Sequence, residues 1–385
     1  MDCELALING QVIDPDAGTI EQADVAITGG KIVGISRQRG AFRAEHSIDV
    51  SGAHVTPALI DGHVHCYEHV SPGSLNPDRI GVRQGVGVVV DAGSFGPRNA
   101  DGFYEYAVKP AATRVFGLVN ISRWGVSTNP GEAEIIGFLN PTEVVRLIER
   151  SGDWVKGVKV RASVTAVGAL GILPVHLAKQ ASREAGVPLM VHIGNGPPTL
   201  EEVCAILTAG DIITHCFQGK IGGSIDRRGA LLPAVRDAVD RGVILDIGHG
   251  SASFSWRTAE AAMALGLPPH SISTDLHRGC VDGPVFSQVA TMAKFLQLGM
   301  SLLDVVRAST LIPAHTFGLE PAFGHLALDR PANLSVIRVV DRPQERFDSE
   351  RVSRPVARQI EAEYTILEGK VYGAESRSQN PESRR

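Results

Sequence analysis

The sequence has little of what marks secreted or membrane-spanning proteins. Its five cysteines are odd in number and scattered, without a C-x-x-C pair, which argues against a disulfide framework and favours reduced, packed thiols. Its first residues, Met1-Asp2-Cys3-Glu4, include no basic region, and no apolar run reaches the ~20 residues that span a bilayer. We therefore expect a cytoplasmic chain with no membrane partner.

Positive charge is not in excess either. The chain carries 37 Lys and Arg against 42 Asp and Glu, a formal net charge of -5, and so offers no basic footprint for nucleic acid. The expected partner is a small molecule, and the sequence leaves open whether the chain forms a homo-oligomer. A length of 385 residues suits two or three ordinary domains, or one barrel of roughly 250 residues with an added module.

The middle of the chain has a regular succession of strand and helix patterns. Segments in which apolar residues recur every three or four positions alternate with eight apolar, strand-like segments. These strand-like segments are residues 55–65, 86–92, 114–122, 155–161, 188–194, 212–217, 243–248 and 271–277. Gly186, Gly210 and Gly242 come shortly before three of them, as expected where a helix ends and leads into a strand. Eight such units predict an α/β fold of the (β/α)8 TIM-barrel type.

Short alternating patterns at both ends of the chain predict a second unit. They cover residues 4–9, 24–28, 31–36, 334–340, 353–359 and 363–367. We expect them to form one small β-sandwich. The predicted boundaries are 1–56 and 320–373 for its two parts, 57–319 for the barrel and 374–385 for a polar, disordered tail.

Residues that can carry chemistry lie at the ends of the predicted strands. His63 and His65, in Asp61-Gly62-His63-Val64-His65, project to one side of the first strand because side chains alternate, so they can bind one metal ion. The other candidates close later strands: Lys156 or Lys159, His192, His215 and Asp275. Barrel active sites lie at the carboxyl ends of the strands, so we expect these groups to meet. Four imidazoles and one carboxylate exceed one tetrahedral site and suit two ions of zinc or a similar divalent metal.

This strand-end pattern resembles the amidohydrolase superfamily over nearly the whole chain. Segments 118–123, 157–163, 192–198 and 273–277 are similar to its dihydroorotase-like amidohydrolase/deacetylase metallohydrolases. The resemblance implies these ligands: His63, His65 and Asp275 for the more buried ion, His192 and His215 for the second ion, and Lys159, carboxylated by CO2, as the bridge. Lys156 stays open as an alternative bridge. Asp275 is also the expected catalytic proton carrier.

Two positions argue against two reactions of this superfamily. Dihydroorotases carry an arginine two residues after His-x-His, where this chain has Tyr67, so we reject dihydroorotate as the substrate. Deaminases usually carry a glutamate three residues after the strand-five histidine, where this chain has Asn195.

Three further residues are expected to contact the substrate: Arg161, Asn195 and His277. Arg161 can bind a carboxylate through two hydrogen bonds, and a structural ion pair is its alternative. For His277 the alternative is that it orients Asp275. The glycine-rich run 218–224 has no P-loop spacing and is expected to be a mobile loop that closes over the site.

The sequence thus predicts a binuclear metal-dependent hydrolase, with a hydroxide that bridges the two ions as the nucleophile. Its expected substrate is a small carboxylate-bearing molecule, cleaved at an acyl amide or ester bond in the manner of a deacetylase. The alternatives are a cyclic amidase that opens rings as hydantoinases and dihydroorotases do, a mononuclear hydrolase of the same fold, and a non-catalytic interaction protein that has kept the barrel.

Overall fold

The structure, a computed structural model, describes residues 1–375. Its first strands are β1 (Asp2–Asp14), β2 (Thr19–Thr28), β3 (Lys31–Ser36), β4 (Arg43–Asp49) and β5 (His54–Pro57). The next are β6 (Leu59–Val64), β7 (Val86–Ala92), β8 (Arg114–Asn120), β9 (Val155–Ala162), β10 (Leu189–Ile193), β11 (Ile212–Thr214) and β12 (Ile244–Asp246). The last are β13 (Leu334–Phe347), β14 (Ser353–Leu367) and β15 (Lys370–Gly373).

Most helices follow the strands of the middle region. They are α1 (Pro77–Ile80), α2 (Ala100–Phe103), α3 (Pro141–Arg150), α4 (Val164–Val167), α5 (Leu173–Ala185), α6 (Leu200–Ile206), α7 (Pro233–Asp240), α8 (Trp256–Ala264), α9 (Gln288–Gln297), α10 (Leu302–Ala308) and α11 (Leu311–Thr316). Short 3-10 turns cover Val82–Gln84, Gly125–Thr128, Ile136–Phe138 and Gly168–Leu170, and a π-helical turn covers Tyr104–Val108. Within residues 1–375 no single helix is long and apolar enough to cross a membrane, although the bent pair Val164–Leu170 and Leu173–Ala185 meets that test when taken together.

Local sequence explains where several helices begin and end. The Asn140 side chain accepts a hydrogen bond from Glu143 N at the start of α3, and Thr199 and Glu202 form a reciprocal capping box at the start of α6. Helix α5 ends at Gly186, which has a left-handed conformation with φ 66°, as predicted. These caps fix the directions in which the helices return the chain to the sheet.

Strands β6 to β12 form one sheet in consecutive order, and every neighbouring pair is parallel. The predicted eighth strand, 271–277, is not regular in the structure. Single parallel bridges join Ser271 to Asp246 of β12 and Leu276 to Val64 of β6, so this segment lies between the two outer strands. Asp275 interrupts its extended backbone with φ 52°.

Two buried carboxylates hold this irregular segment on either side. Asp246 accepts hydrogen bonds from the hydroxyls of Ser271 (2.5 Å) and Ser273 (2.7 Å). Asp61 accepts from the Thr274 hydroxyl (2.5 Å) and from Thr274 N (3.0 Å). These side-chain hydrogen bonds add to the backbone hydrogen bonds that the segment makes on both sides, such as Ile247 N to Ser271 O at 3.2 Å and His65 N to Leu276 O at 3.0 Å.

The predicted first strand, 55–65, is two strands in the structure. Strand β5 pairs with β13 of the other sheet, and β6 begins two residues after β5 ends. Pro57, which has no N–H to donate, ends β5, and Ala58 N donates to Asn333 O at 2.9 Å. The chain thus crosses from one sheet to the other at this proline.

The strands from both ends of the chain form one hydrogen-bonded sheet of eight strands among the described residues. The predicted strands 353–359 and 363–367 are a single strand, β14. Val336 pairs with Tyr364 while its neighbour Ile337 pairs with Ala362, so one extra residue bulges between them. A bulge reverses the alternation of side chains, which explains why the sequence pattern resembles two strands.

The predicted disordered tail, 374–385, lies outside the described residues from position 376 onward. Its first two residues are hydrogen-bonded: Ala374 N donates to Glu363 O at 2.8 Å and Glu375 N donates to Arg83 O at 2.9 Å. The described chain therefore stays attached up to residue 375, first to β14 of the terminal sheet and then to the 3-10 turn that contains Arg83.

The β13–β14 hairpin extends past the terminal sheet and packs on helix α8. Trp256, at the start of α8, is 1% exposed, and its ring N–H donates to Arg346 O at 3.0 Å. Trp256 N also donates to the Asp348 carboxylate at 3.0 Å. The buried Trp256 side chain therefore stabilises the contact between the hairpin and the parallel-sheet region.

We predict that Trp256→Ala lowers the free energy of unfolding by about 3 to 5 kcal/mol, the cost typical of removing a buried aromatic side chain. Chemical denaturation followed by fluorescence and circular dichroism measures it. The matched control is Trp124→Ala, because Trp124 is 42% exposed and its loss should change stability by less than about 0.5 kcal/mol. Equal destabilisation by the two variants would contradict the fastening role of Trp256.

Candidate metal centre

The carboxyl end of the parallel sheet brings His63, His65 and Asp275 together. One ligand atom of each lies within 4.8 Å of the other two. Asp275 Oδ1 is 3.5 Å from His63 Nε2 and 3.2 Å from His65 Nε2. Asp275 N also donates to His63 O at 2.6 Å, so the backbone fixes the distance between the two elements. The structure thus places three of the predicted metal ligands in one cluster.

A hydrogen-bonded series determines which nitrogen of His63 faces this cluster. The Thr214 hydroxyl donates to the buried Asp246 carboxylate at 2.7 Å, which uses its only hydrogen. Thr214 Oγ1 must therefore accept the hydrogen bond at 2.8 Å from His63 Nδ1. His63 Nε2 consequently presents a lone pair to Asp275. The nitrogen lone pair and the carboxylate oxygen are both acceptors, and a cation between them relieves their repulsion.

His215 is held in the same way. Its Nδ1 donates to Gly248 O at 2.6 Å, and a carbonyl oxygen can only accept. Its Nε2 is buried and has no hydrogen-bond partner among the described residues. The His192 ring lies next to it, with ring centroids 4.3 Å apart and an edge-to-face arrangement. These two imidazoles form a second possible donor pair beside the first cluster.

Burial keeps three of the imidazoles in the protonation state that binds metals. Burial lowers the pKa of His63 and His192 well below the usual value, and it lowers the pKa of His215 to about 3. Neutral imidazole offers a lone pair, whereas imidazolium cannot bind a cation. The orphaned Nε2 of His215 and the donor set of His63, His65 and Asp275 therefore fit divalent metal ions.

Lys159 lies within this group, and Lys156 does not. Lys159 Nζ is 3.1 Å from His63 Nε2 and 3.3 Å from Met190 Sδ. Burial lowers the pKa of Lys159 to about 7, while Asp275 and Asp246 oppose the shift, so a large fraction of the amine is neutral at pH 7. Lys156 instead forms an ion pair with Asp153 and donates to Gly318 O at 3.4 Å. Only Lys159 of the two can therefore meet the histidine cluster.

Three glycines allow the chain to pass close to these side chains. A Cβ atom on Gly93 would lie 2.8 Å from Lys159 Cγ, and one on Gly248 would lie 2.9 Å from His215 Nδ1 and 3.0 Å from His63 Nδ1. A Cβ on Gly250 would overlap the Asp275 carboxylate. All three glycines have positive φ, so another residue would be strained there as well as crowded.

Arg161 and Glu132 form an ion pair at the edge of the site. Arg161 Nη1 is 3.3 Å from the carboxylate of Glu132, which is 1% exposed, and it donates to Asn129 Oδ1 at 2.9 Å. Arg161 Nε is buried without a hydrogen-bond partner in the described part of the chain. The structural ion pair that the sequence left open is therefore present, and the Nε–H of the guanidinium makes no hydrogen bond within the described residues.

The other two predicted substrate contacts lie around the cluster. The His277 ring centroid is 6.5 Å from that of His65, and His277 Nδ1 accepts a hydrogen bond from Gly279 N at 3.0 Å. Asn195 is exposed, and its backbone carbonyl oxygen accepts a hydrogen bond from Val164 N at 2.8 Å. Their contact with a substrate stays a prediction.

Sequence reasoning missed several residues that support the site. Thr214 and Asp246 orient His63, Ser94 Oγ is hydrogen-bonded to His65 Nδ1 at 2.8 Å, and Glu132 pairs with Arg161. Thr214 and Asp246 are paired residues at the ends of β11 and β12. The sequence signal for both residues is a polar side chain at the end of an apolar strand, and this signal was not used for Asp246.

Comparison with known proteins gives full-length relatives. No protein-family model matches the chain. A protein of Enterococcus faecalis named deacetylase is 36% identical over 378 residues, which are 97% of this chain and 100% of that protein. A solved structure described as an adenine deaminase is 36% identical, with a TM-score of 0.91, and the match covers 97% of this chain and 100% of that one. A structure described as a dihydroorotase is 33% identical, with a TM-score of 0.88, and the match covers 96% and 98%.

The names of these relatives refer to three different reactions, so they establish the family and not the substrate. All three are members of one superfamily of enzymes whose sites are typically metal-dependent, which agrees with the His-His-Asp cluster found here. The resemblance predicted from the strand-end motifs is confirmed. The chain belongs to the amidohydrolase superfamily and is a hydrolytic enzyme of that superfamily.

Proposed function

We propose that this enzyme is a binuclear metal-dependent deacylase that cleaves an acyl amide or ester bond of a small carboxylate-bearing molecule. The observation that carries the proposal is the convergence of His63, His65 and Asp275, with Lys159 Nζ 3.1 Å from His63 Nε2. The full-length relative named deacetylase supports the reaction type. In this proposal the segment 271–276 completes a (β/α)8 barrel, and the terminal sheet is a second domain.

The residues divide into two metal-binding groups. His63, His65 and Asp275 would hold one divalent ion, zinc or a similar metal, and His192 and His215 would hold the other. Lys159 would join them as a carbamate: its neutral amine adds to the carbon of CO2, an N–C bond forms, and the nitrogen loses a proton to solvent. When bound, the ions supply a water of lowered pKa as a nucleophile and a Lewis acid for the carbonyl group.

The chain's own residues carry the proton. Asp275 lies at the centre of the cluster and has a carboxylate that can accept a proton from the attacking water and return it to the leaving nitrogen or oxygen. Thr214 and Asp246 keep His63 in one tautomer during this transfer, because their hydrogen bonds fix its Nδ1–H.

Two features speak against the reactions in the names of the structural neighbours. Tyr67, at the position where dihydroorotases carry a substrate-binding arginine, is 3% exposed, donates to Asn99 O at 3.1 Å and packs against Phe103. It therefore stabilises the fold and is not free to grip a carboxylate. Asn195 replaces the glutamate that deaminases use at the corresponding position. A screen of N-acyl amino acids, O-acyl hydroxy acids, cyclic amides and adenine with zinc-loaded enzyme tests the assignment, and turnover confined to the last two would overturn it.

The first prediction is that protein grown with zinc and bicarbonate contains two divalent ions per chain. Plasma emission spectrometry of the purified protein measures the ratio. One ion or none would reject the binuclear proposal, and one ion with full activity would favour a mononuclear hydrolase.

The second prediction concerns Lys159→Ala, which removes the bridging anion and should lose most of the bound metal and the activity. Formate, acetate or propionate should restore part of both, because a short carboxylate can occupy the vacated space and carry the missing charge. Lys156→Ala is the matched control and should keep both metals, since Lys156 pairs with Asp153. Loss of metal from the Lys156 variant alone would assign the bridge to Lys156 instead.

The third prediction is that Asp275→Asn keeps most of the metal but lowers kcat by at least about a hundredfold, the scale typical of a general acid/base. Steady-state kinetics and metal analysis of the same sample measure the two effects. Asp101→Asn is the control, because the Asp101 side chain is 77% exposed and pairs with Arg150. A fully active Asp275→Asn enzyme would remove Asp275 from the proton transfer.

A further inference from the structure

The Arg161 guanidinium is already neutralised. Its partner Glu132 is almost fully buried, and although burial raises the pKa of Glu132, the guanidinium opposes this and favours the carboxylate. Asn129 takes a further N–H of Arg161. A substrate carboxylate that approaches Arg161 therefore meets a pair with no net charge, and the free Nε–H can offer it one hydrogen bond.

Lys220 is a second cation whose charge acts on the site, and the Asp275 carboxylate offsets it in part. Lys220 lies in the loop that follows β11, five residues after His215, and its charge acts on Arg161 and Asp275 as well as on His192 and His215. Among the described residues its ammonium has no ion-pair partner. Burial and the Arg161 guanidinium lower the pKa of Lys220, and a bound carboxylate would raise it again by favouring the protonated form.

The loop that carries Lys220 is held on both sides of the lysine. Glu350, at the tip of the β13–β14 hairpin, lies directly against Gly219, where any side chain would collide with its carboxylate. The same carboxylate accepts a hydrogen bond from the Ser255 hydroxyl at 2.7 Å. Beyond Lys220, Ile221 is 73% exposed and Gly222 has a positive φ. The chain is buried again at Ser224 and Ile225, which are both 1% exposed, and the Ser224 hydroxyl donates to Cys216 O. Lys220 therefore precedes a short exposed turn that lies between two held points.

We propose that Lys220 binds the carboxylate of the substrate and sets the preference for acidic over neutral substrates, while Arg161 gives a hydrogen bond that does not depend on ligand charge. The inference deepens the proposed function and rests on it. It names the substrate class as an acylated amino acid or hydroxy acid whose carboxylate is free, because an amide or ester of that group would leave the buried ammonium unpaired.

The test compares lactate with lactamide, two molecules with the same skeleton of which only the first is charged. Racemic samples avoid an assumption about stereochemistry, and neither molecule has an acyl bond to cleave. Ligand-observed NMR titration of the metal-loaded protein gives the two dissociation constants. Direct metal binding can also favour lactate over lactamide, but this contribution is the same in wild type and variants. The quantity compared is therefore the change in the ratio of the two dissociation constants.

We expect Lys220→Met to weaken lactate binding at least about tenfold and lactamide binding less than about twofold, as removal of one partner of a charge pair should do. Lys220→Arg keeps the charge and should keep the ratio. The double variant Arg161→Met/Glu132→Gln removes the ion pair without changing net charge, and it should weaken both ligands equally. Metal content should match wild type in all of them.

Several results would overturn the inference. The first is a wild-type protein that binds lactate and lactamide equally well. The second is a preference for lactate that is unchanged in Lys220→Met. The third is a preference that is lost only in the double variant Arg161→Met/Glu132→Gln. The acyl screen separates this failure from failure of the proposed function. If the preference for lactate depends on Lys220 but no acyl compound is turned over, the deacylase proposal is wrong and the carboxylate site is supported. If acyl acids and their carboxamides are both turned over and Lys220→Met loses activity toward both equally, the deacylase proposal is supported and the carboxylate site is wrong.

Discussion

A neutral imidazole presents its lone pair at a defined nitrogen when its other nitrogen donates to a fixed acceptor, and hydrogen bonds of this kind organise the site. Thr214 satisfies it for His63 because Asp246 takes the hydroxyl hydrogen, and the carbonyl oxygen of Gly248 satisfies it for His215. Asp246 also accepts from Ser271 and Ser273, so the same carboxylate holds the irregular segment that carries Asp275. The tautomer of one ligand and the position of another thus depend on one buried group.

The backbone passes close to these side chains, which lowers the stability of the fold, and packing elsewhere offsets this loss. Gly248 and Gly250 give up conformational freedom in the folded chain, and His215 and Asp275 have positive φ. The orphaned His215 Nε2 adds an unsatisfied buried polar atom. Broad apolar packing around the parallel sheet, from Leu59 to Ile360, offsets such terms. At His215 and Asp275, local disagreement with the rules of a stable fold lies where a bound cation would compensate it.

The sequence predicted the parts of the molecule whose patterns are local. The parallel strands, the helix-ending Gly186, and His63, His65 and Asp275 at strand ends all follow from short-range periodicity and strand direction. It did not predict the bulge in β14 or the hairpin that reaches Trp256, because these depend on pairings between distant residues. Glu132 and Lys220 were also missed as functional residues. They lie on loops after β8 and β11, and only the folded chain shows that Glu132 pairs with Arg161 and that the charges of Lys220 and Arg161 interact.

Rigid and adjustable parts of the site come from different structural sources. The histidines that we propose as metal ligands end or follow strands whose backbones are hydrogen-bonded to their neighbours, so their positions tolerate little change. Lys220 belongs to a loop whose exposed turn at Ile221 and Gly222 lies between Gly219, which packs against Glu350, and the buried residues Ser224 and Ile225. Full-length relatives named deacetylase, adenine deaminase and dihydroorotase fit this division, since one conserved scaffold can serve several substrates when recognition depends on loops.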